Sequence, residues 1–116
     1  MEVLGKERRF KLTIGAAAEI ADFCPEGDIG RIGELLGSGS TAKSLRASAK
    51  LIAALNRGYE EAENPRAEHP DCLTVREVLS LDADVFGELL QEAVKAFAED
   101  QKPKTEIRSK NASGDA

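Results

Sequence analysis

Leu45 to Glu63 reads LRASAKLIAALNRGYEEAE, and this stretch decides the fold. Leu45, Ala49, Ile52, Leu55 and Tyr59 recur at the three- and four-residue spacing that lines one face of an α-helix, so the segment predicts a long amphipathic helix ending near Glu63. A helix of this length in a 116-residue chain is the central element on which the others pack. Upstream, Gly37-Ser38-Gly39-Ser40 reads as a flexible connection ending in an N-cap; downstream, Asn64-Pro65 closes the helix and Arg66 to Asp71, with Pro70, forms a polar loop.

After that loop, Thr74-Val75-Arg76-Glu77 is a capping box, in which the Thr hydroxyl and the Glu carboxylate each satisfy an orphan amide. Leu73 and Val78 occupy the positions of a hydrophobic staple. A short helix to about Leu81 runs into Asp82, which caps a last helix whose Phe86, Leu89, Leu90, Ala93, Val94 and Phe97 form a wide apolar stripe.

Before the connection, Asp28 is placed to cap a helix carrying Ile29, Ile32, Leu35 and Leu36. Gly30 and Gly33 weaken it by about 1 kcal/mol each relative to Ala, which makes it the mobile helix. Ala16 to Phe23 predicts a short helix stopped by Pro25 and Gly27. Arg8 to Ile14 alternates, with Phe10, Leu12 and Ile14 on one face, and predicts a half-buried strand. Met1 to Leu4 is placed to pair with it through a Gly5-Lys6 type II′ turn. Two strands alone are marginal, so this ribbon must lie on the helices or pair through Phe10, Leu12 and Ile14 with a second copy, making a homo-oligomer. The expected fold is mainly α with a small N-terminal β-strand or hairpin (α+β), a compact bundle of about five helices over residues 1–100, followed by a disordered polar tail over 101–116.

Composition narrows the function. Sixteen basic against twenty-one acidic residues give a net charge of −5, with Lys102, Lys104, Arg108 and Lys110 making the tail basic and the rest more acidic. An acidic body is repelled by phosphate backbones, so nucleic acid is an unlikely principal partner. No apolar run approaches the ~20 residues of a membrane span and the charged start lacks a secretion signal, so a cytoplasmic protein is expected, with Cys24 and Cys72 reduced.

Motifs for chemistry are incomplete. His69 and Cys72 offer two metal ligands and Cys24 a third, where a closed zinc site takes four; a surface histidine beside a buried thiol is the better account. A Cys72 nucleophile with His69 as base lacks an orienting group. Gly37 to Ser44 ends in Lys-Ser, but Ala42 stands where a phosphate loop needs glycine. The carboxylates Glu60-Glu61 and Asp82/Asp84 are explained by solvation and capping. Hence no catalytic residue, metal ligand or cofactor is assigned, and the chain is expected not to be an enzyme. A rival reading takes Asp28 to Asn56 as a helix-turn-helix regulator that presents Lys43, Arg46, Lys50 and Arg57 on one face to DNA. The acidity of the whole chain favours a solvated face instead.

The order of elements, with the FKLTIGAAAEI opening at Phe10–Ile20 and the LTVREVL segment at Leu73–Leu79, resembles the small tail assembly chaperones of long-tailed bacteriophages and prophages over about residues 7 to 100. The resemblance implies a non-enzymatic factor that binds the very long helical tape measure protein, keeps it soluble, helps recruit tail tube subunits and leaves the finished virion. Relatives often occur as a short form and a frameshift-extended form. With a helical client in view, an apolar groove is the device required, and Ile29, Ile32, Leu35 and Leu36 on the glycine-weakened helix are the candidate contacts.

Overall fold

The computed structural model describes residues 1–37 and 41–101. Of the expected linker Gly37–Ser40, residues 38–40 lie outside them, as do residues 102–116 of the expected tail, whereas Gln101, expected in the tail, ends the last helix. The chain is mostly helical, with a small antiparallel sheet at its N-terminus. Strands β1 (Glu2–Val3) and β2 (Lys6–Glu7) form a hairpin in the register Glu2↔Glu7 and Val3↔Lys6. Helices α1 (Ile14–Phe23), α2 (Ile32–Leu36), α3 (Ala42–Glu63), α4 (Val75–Leu79) and α5 (Ala83–Gln101) follow, with 3₁₀ turns at Pro25–Gly27 and Ile29–Arg31 between α1 and α2.

The expected centre is the observed one: α1, α2, α4 and α5 all pack on α3. Leu51, Ile52, Ala53, Ala54, Leu55 and Asn56 are buried in succession, which a helix permits only when covered on every side. Alanines at 47, 49, 53 and 54 keep α3 slim enough for four neighbours to reach it. Ile20 from α1, Leu73 and Val78 around α4, and Leu89 and Ala93 from α5 complete the core. The capping box Thr74–Glu77 forms as expected, and Leu73 and Val78 of the staple are both fully buried. Asp28 caps the next turn by accepting from the Gly30 amide. The N-cap of α3 is Thr41, one residue beyond the expected linker, and it forms a capping box with Ser44. At the start of α5 the Asp82 carbonyl accepts from the Phe86 amide.

The strand expected over Arg8–Ile14 is not formed. The hairpin closes earlier, with Leu4 and Gly5 at its centre rather than Gly5-Lys6; both have positive φ, the type I′ pattern rather than II′. Residues 8–13 run extended without a ladder, and Ile14 belongs to the first turn of α1, where it is 88% exposed. Phe10 and Leu12 do face inward while Arg9 and Lys11 face out, so the alternation reported burial over Arg9–Leu12 but not at Ile14, which is expected inside and is exposed. What it could not report is that, past the Arg8 amide, which donates to the Met1 carbonyl, the partners of this backbone come from helices. The Lys11 amide donates to the Leu55 carbonyl at 3.0 Å, and the Leu12 amide donates to Asp100 Oδ2 at 2.9 Å. Thr13, expected on the outer face of the strand, caps α1 by accepting from the Ala16 amide.

Two buried polar side chains hold this N-terminal strap. Asn56 Nδ2 donates to the Arg9 carbonyl at 2.9 Å, and its Oδ1 accepts from the Leu73 amide at 2.8 Å. Arg8, only 2% exposed, donates to the Val3 carbonyl and to the Asp71 carbonyl. Gly58 allows the close approach: a Cβ built there would stand 2.4 Å from the Lys11 carbonyl oxygen.

Candidate functional surfaces

Ile29 falls on the 3₁₀ turn that lies against α1, and Ile32, Leu35 and Leu36 on α2, which lies against α3. Ile32 is buried, and the other three are half-buried and packed on the core. Exposure at α2 belongs to its polar side. Arg31 there holds Glu34 through two hydrogen bonds, at 2.8 and 2.9 Å, and pairs with Glu26 at 3.2 Å. The hydrogen bonds from Arg31 hold the Glu34 carboxyl below its ordinary value of 4.5. A depressed folded-state value stabilises above the unfolded one and is lost as pH falls through the folded one, so this clip should release only below about pH 4.5. Amide exchange at residues 29–36, compared at pH 6 and pH 3.5 after correction for intrinsic rates, should show selective loss of protection at the lower pH.

Uncovered apolar surface lies elsewhere. Leu45 is 40% and Leu79 48% exposed. They line a groove of about 420 Å³ together with Leu81, Phe86, Gly87 and Leu90, between the N-terminal half of α3 and the corner joining α4 to α5. Leu45 lies on the same face of α3 as the fully buried Ile52, seven residues on. The stripe that forms the core therefore continues past the helices that cover it. Gly87 sits in the second turn of α5 with open space where a Cβ would stand. Gly87→Ala should raise stability by up to about 1 kcal/mol, read by urea denaturation, because it removes a helix-interior glycine without a clash.

Other candidate groups are dispersed. His69 is exposed in the loop between α3 and α4, Cys72 is half-buried, and Cys24 is buried at the end of α1, both cysteines being free. Burial pushes the Cys24 thiol up from its ordinary value, with Asp28 adding to the effect. Among the described residues no three His, Cys, Asp or Glu side chains converge as a metal site. Glu60 departs from the expected solvated carboxylate: it is buried, and its Oε1 accepts from Lys6 Nζ at 2.9 Å, linking α3 to the hairpin. Its Oε2 has no partner among the described residues. Asp82 and Asp84 are exposed at the start of α5, as expected. Of the four cations on α3, Arg57 is paired with Glu19 of α1 at 3.1 Å, whereas Lys43, Arg46 and Lys50 are exposed. No helix among the described residues is long and apolar enough to cross a membrane.

Sequence reasoning missed the groove because Leu45 and Leu79 satisfy the helical stripe in the same way whether or not a neighbour covers them. The available signal was an apolar residue in the first turns of α3, beyond the reach of the flanking short helices. Compared with models of protein families, with curated proteins and with solved structures, the chain matches none.

Proposed function

We propose that the protein is a non-enzymatic assembly factor of the phage tail chaperone type, which binds the helical tape measure protein stoichiometrically, keeps it soluble and helps recruit tail tube subunits. On this reading it acts in the cytoplasm of the bacterial host and is left out of the finished virion. The observation that carries the proposal is the apolar groove of Leu45, Leu79, Leu81, Phe86 and Leu90. An apolar groove between helices receives the apolar face of an incoming amphipathic helix, and it does so without bond chemistry. The resemblance of the Phe10–Ile20 and Leu73–Leu79 segments to that family supplies the identity of the client.

The test is co-expression with the neighbouring tape measure gene. Soluble client should increase and co-elute with the wild-type protein. Leu45→Glu/Leu79→Glu should lose co-elution while its melting temperature moves by no more than a few degrees, because both side chains are exposed at the surface. Co-elution unchanged by the double variant would count against the groove; no complex with the wild type would count against the function. Dimerisation of the wild type that the double variant abolishes would point to a second copy as the occupant.

DNA binding has less support. A recognition helix must offer a protruding face, and α3 is instead the helix on which all the others pack.

A further inference from the structure

About half a turn round α3 from Leu45, a second cleft of about 220 Å³ lies between α1, α2 and the N-terminal half of α3, lined by Phe23, Leu35, Lys43, Arg46, Ala47 and Lys50. Its floor is apolar and its rim is basic. Lys50 Nζ stands 5.6 Å from the centroid of the Phe23 ring. Like Arg9, Lys11, Arg66, Arg76 and Lys95, the cations Lys43, Arg46 and Lys50 are exposed and take part in no ion pair among the described residues, but these three gather on one helix face around a single cleft. In a chain of net charge −5 these cations follow one another at three- and four-residue spacing, where neighbouring like charges repel. Apart from the contact of Lys50 with the Phe23 ring, no attractive partner among the described residues offsets that repulsion.

We infer that this cleft is a subsite for an acidic amphipathic helix of a protein partner, which sets an apolar side chain on Phe23 and Leu35 and carboxylates against Lys43, Arg46 and Lys50. The cleft is small beside the roughly 300–1,000 Å³ of small-molecule pockets and suits an anchoring side chain. The row of cations spans two turns of α3, roughly 10 Å, so carboxylates three or four residues apart on one face of a partner helix match its spacing. Charge complementarity selects the acidic segment. A nucleic acid offers the same negative charge, but it would meet only three cations on an otherwise acidic body and would leave the apolar floor unused. The inference rests on the proposed client-binding function and deepens it, because it specifies the charge of a client segment distinct from the one in the Leu45 groove and seated on the other side of α3.

The test is fluorescence anisotropy with the full chain and three labelled probes: a helical peptide with Leu and Phe on one face and Glu beside them, the same peptide with Lys for Glu, and a 20-base-pair duplex of random sequence. The Glu peptide should bind best, and Arg46→Glu/Lys50→Glu should weaken it by about tenfold or more, the sum of a few exposed ion pairs. The same variant should melt within a few degrees of wild type, because relief of like-charge repulsion on α3 offsets loss of the Lys50–Phe23 contact. No binding of the Glu peptide, equal binding of the Lys peptide, tighter binding of the duplex, or indifference to the charge reversal would each overturn the inference. Co-elution of the tape measure protein separates the two claims. A client lost with Leu45→Glu/Leu79→Glu but retained in full by Arg46→Glu/Lys50→Glu would overturn the acidic subsite alone.

Discussion

Asn56→Ala should cost about 3–4 kcal/mol of folding stability, a large share of the 5–15 kcal/mol that holds an ordinary domain together. The side chain is fully buried in the middle of α3 and satisfies two backbone groups at once, the Arg9 carbonyl and the Leu73 amide. Truncation strands both of them and leaves a void. Each stranded group costs on the order of 1–3 kcal/mol, the buried Leu73 amide toward the upper end. Asn56→Asp separates hydrogen bonding from volume. At neutral pH its carboxylate cannot donate to the Arg9 carbonyl and must be buried as a charge, so the variant should be at least as unstable as the alanine variant. A buried carboxyl titrates above its ordinary ~3.9, so the protonated form is favoured by folding. The deficit relative to wild type should therefore shrink as pH falls from 7 to 5, since the protonated acid can donate to Arg9. Urea denaturation at the two pH values reads both effects, and a deficit independent of pH would argue that Asn56 acts only by filling space.

Gly58→Ala should cost about 2–3 kcal/mol, although alanine is the better helix former by about 1 kcal/mol. The added Cβ would meet the Lys11 carbonyl oxygen at 2.4 Å, and Ala16 Cβ and Thr13 Oγ1 at 3.1 Å. The nearest of these is backbone, so relief requires moving the whole strap from Arg8 to Thr13 off α3. The Leu55–Lys11 and Asn56–Arg9 hydrogen bonds would go with it. Gly33→Ala is the control, because open space surrounds that position and the substitution should be neutral or stabilising. The Gly58→Ala melt should fall while that of Gly33→Ala does not, and a Gly58→Ala melt like that of Gly33→Ala would mean that the strap does not lie against α3.

These two positions also mark where the sequence was legible and where it was not. The helices could be read because their apolar spacing and caps are local: Thr74 and Glu77 lie within one turn, and the α3 and α5 stripes repeat along one chain segment. Asn56 and Gly58 act between segments. In one dimension each is a weak helix former in a strong helix. Only the approach of residues 9–13 from far along the chain gives them a role. The strand expected at Arg8–Ile14 failed for the same reason. Alternation records which side chains turn inward, but a ladder needs an edge to pair with, and the nearest backbone acceptor was a helix carbonyl. At the candidate surfaces, residue type was legible and coverage was not. Leu35 and Leu45 look alike in sequence, yet the first is packed on the core while the second extends beyond the helices that cover Ile52.

A helical client seated in the groove of Leu45, Leu79, Leu81, Phe86 and Leu90 would be seen most directly by titrating ¹⁵N-labelled protein with peptides of about 20 residues tiled along the tape measure protein and following the amide spectrum. The account predicts that at least one apolar-faced peptide shifts the amides of residues 43–47 and 79–90 in a saturable way, and that Leu45→Glu/Leu79→Glu abolishes those shifts. Saturable shifts confined to the hairpin and the C-terminal half of α5, with residues 79–90 silent, would contradict it.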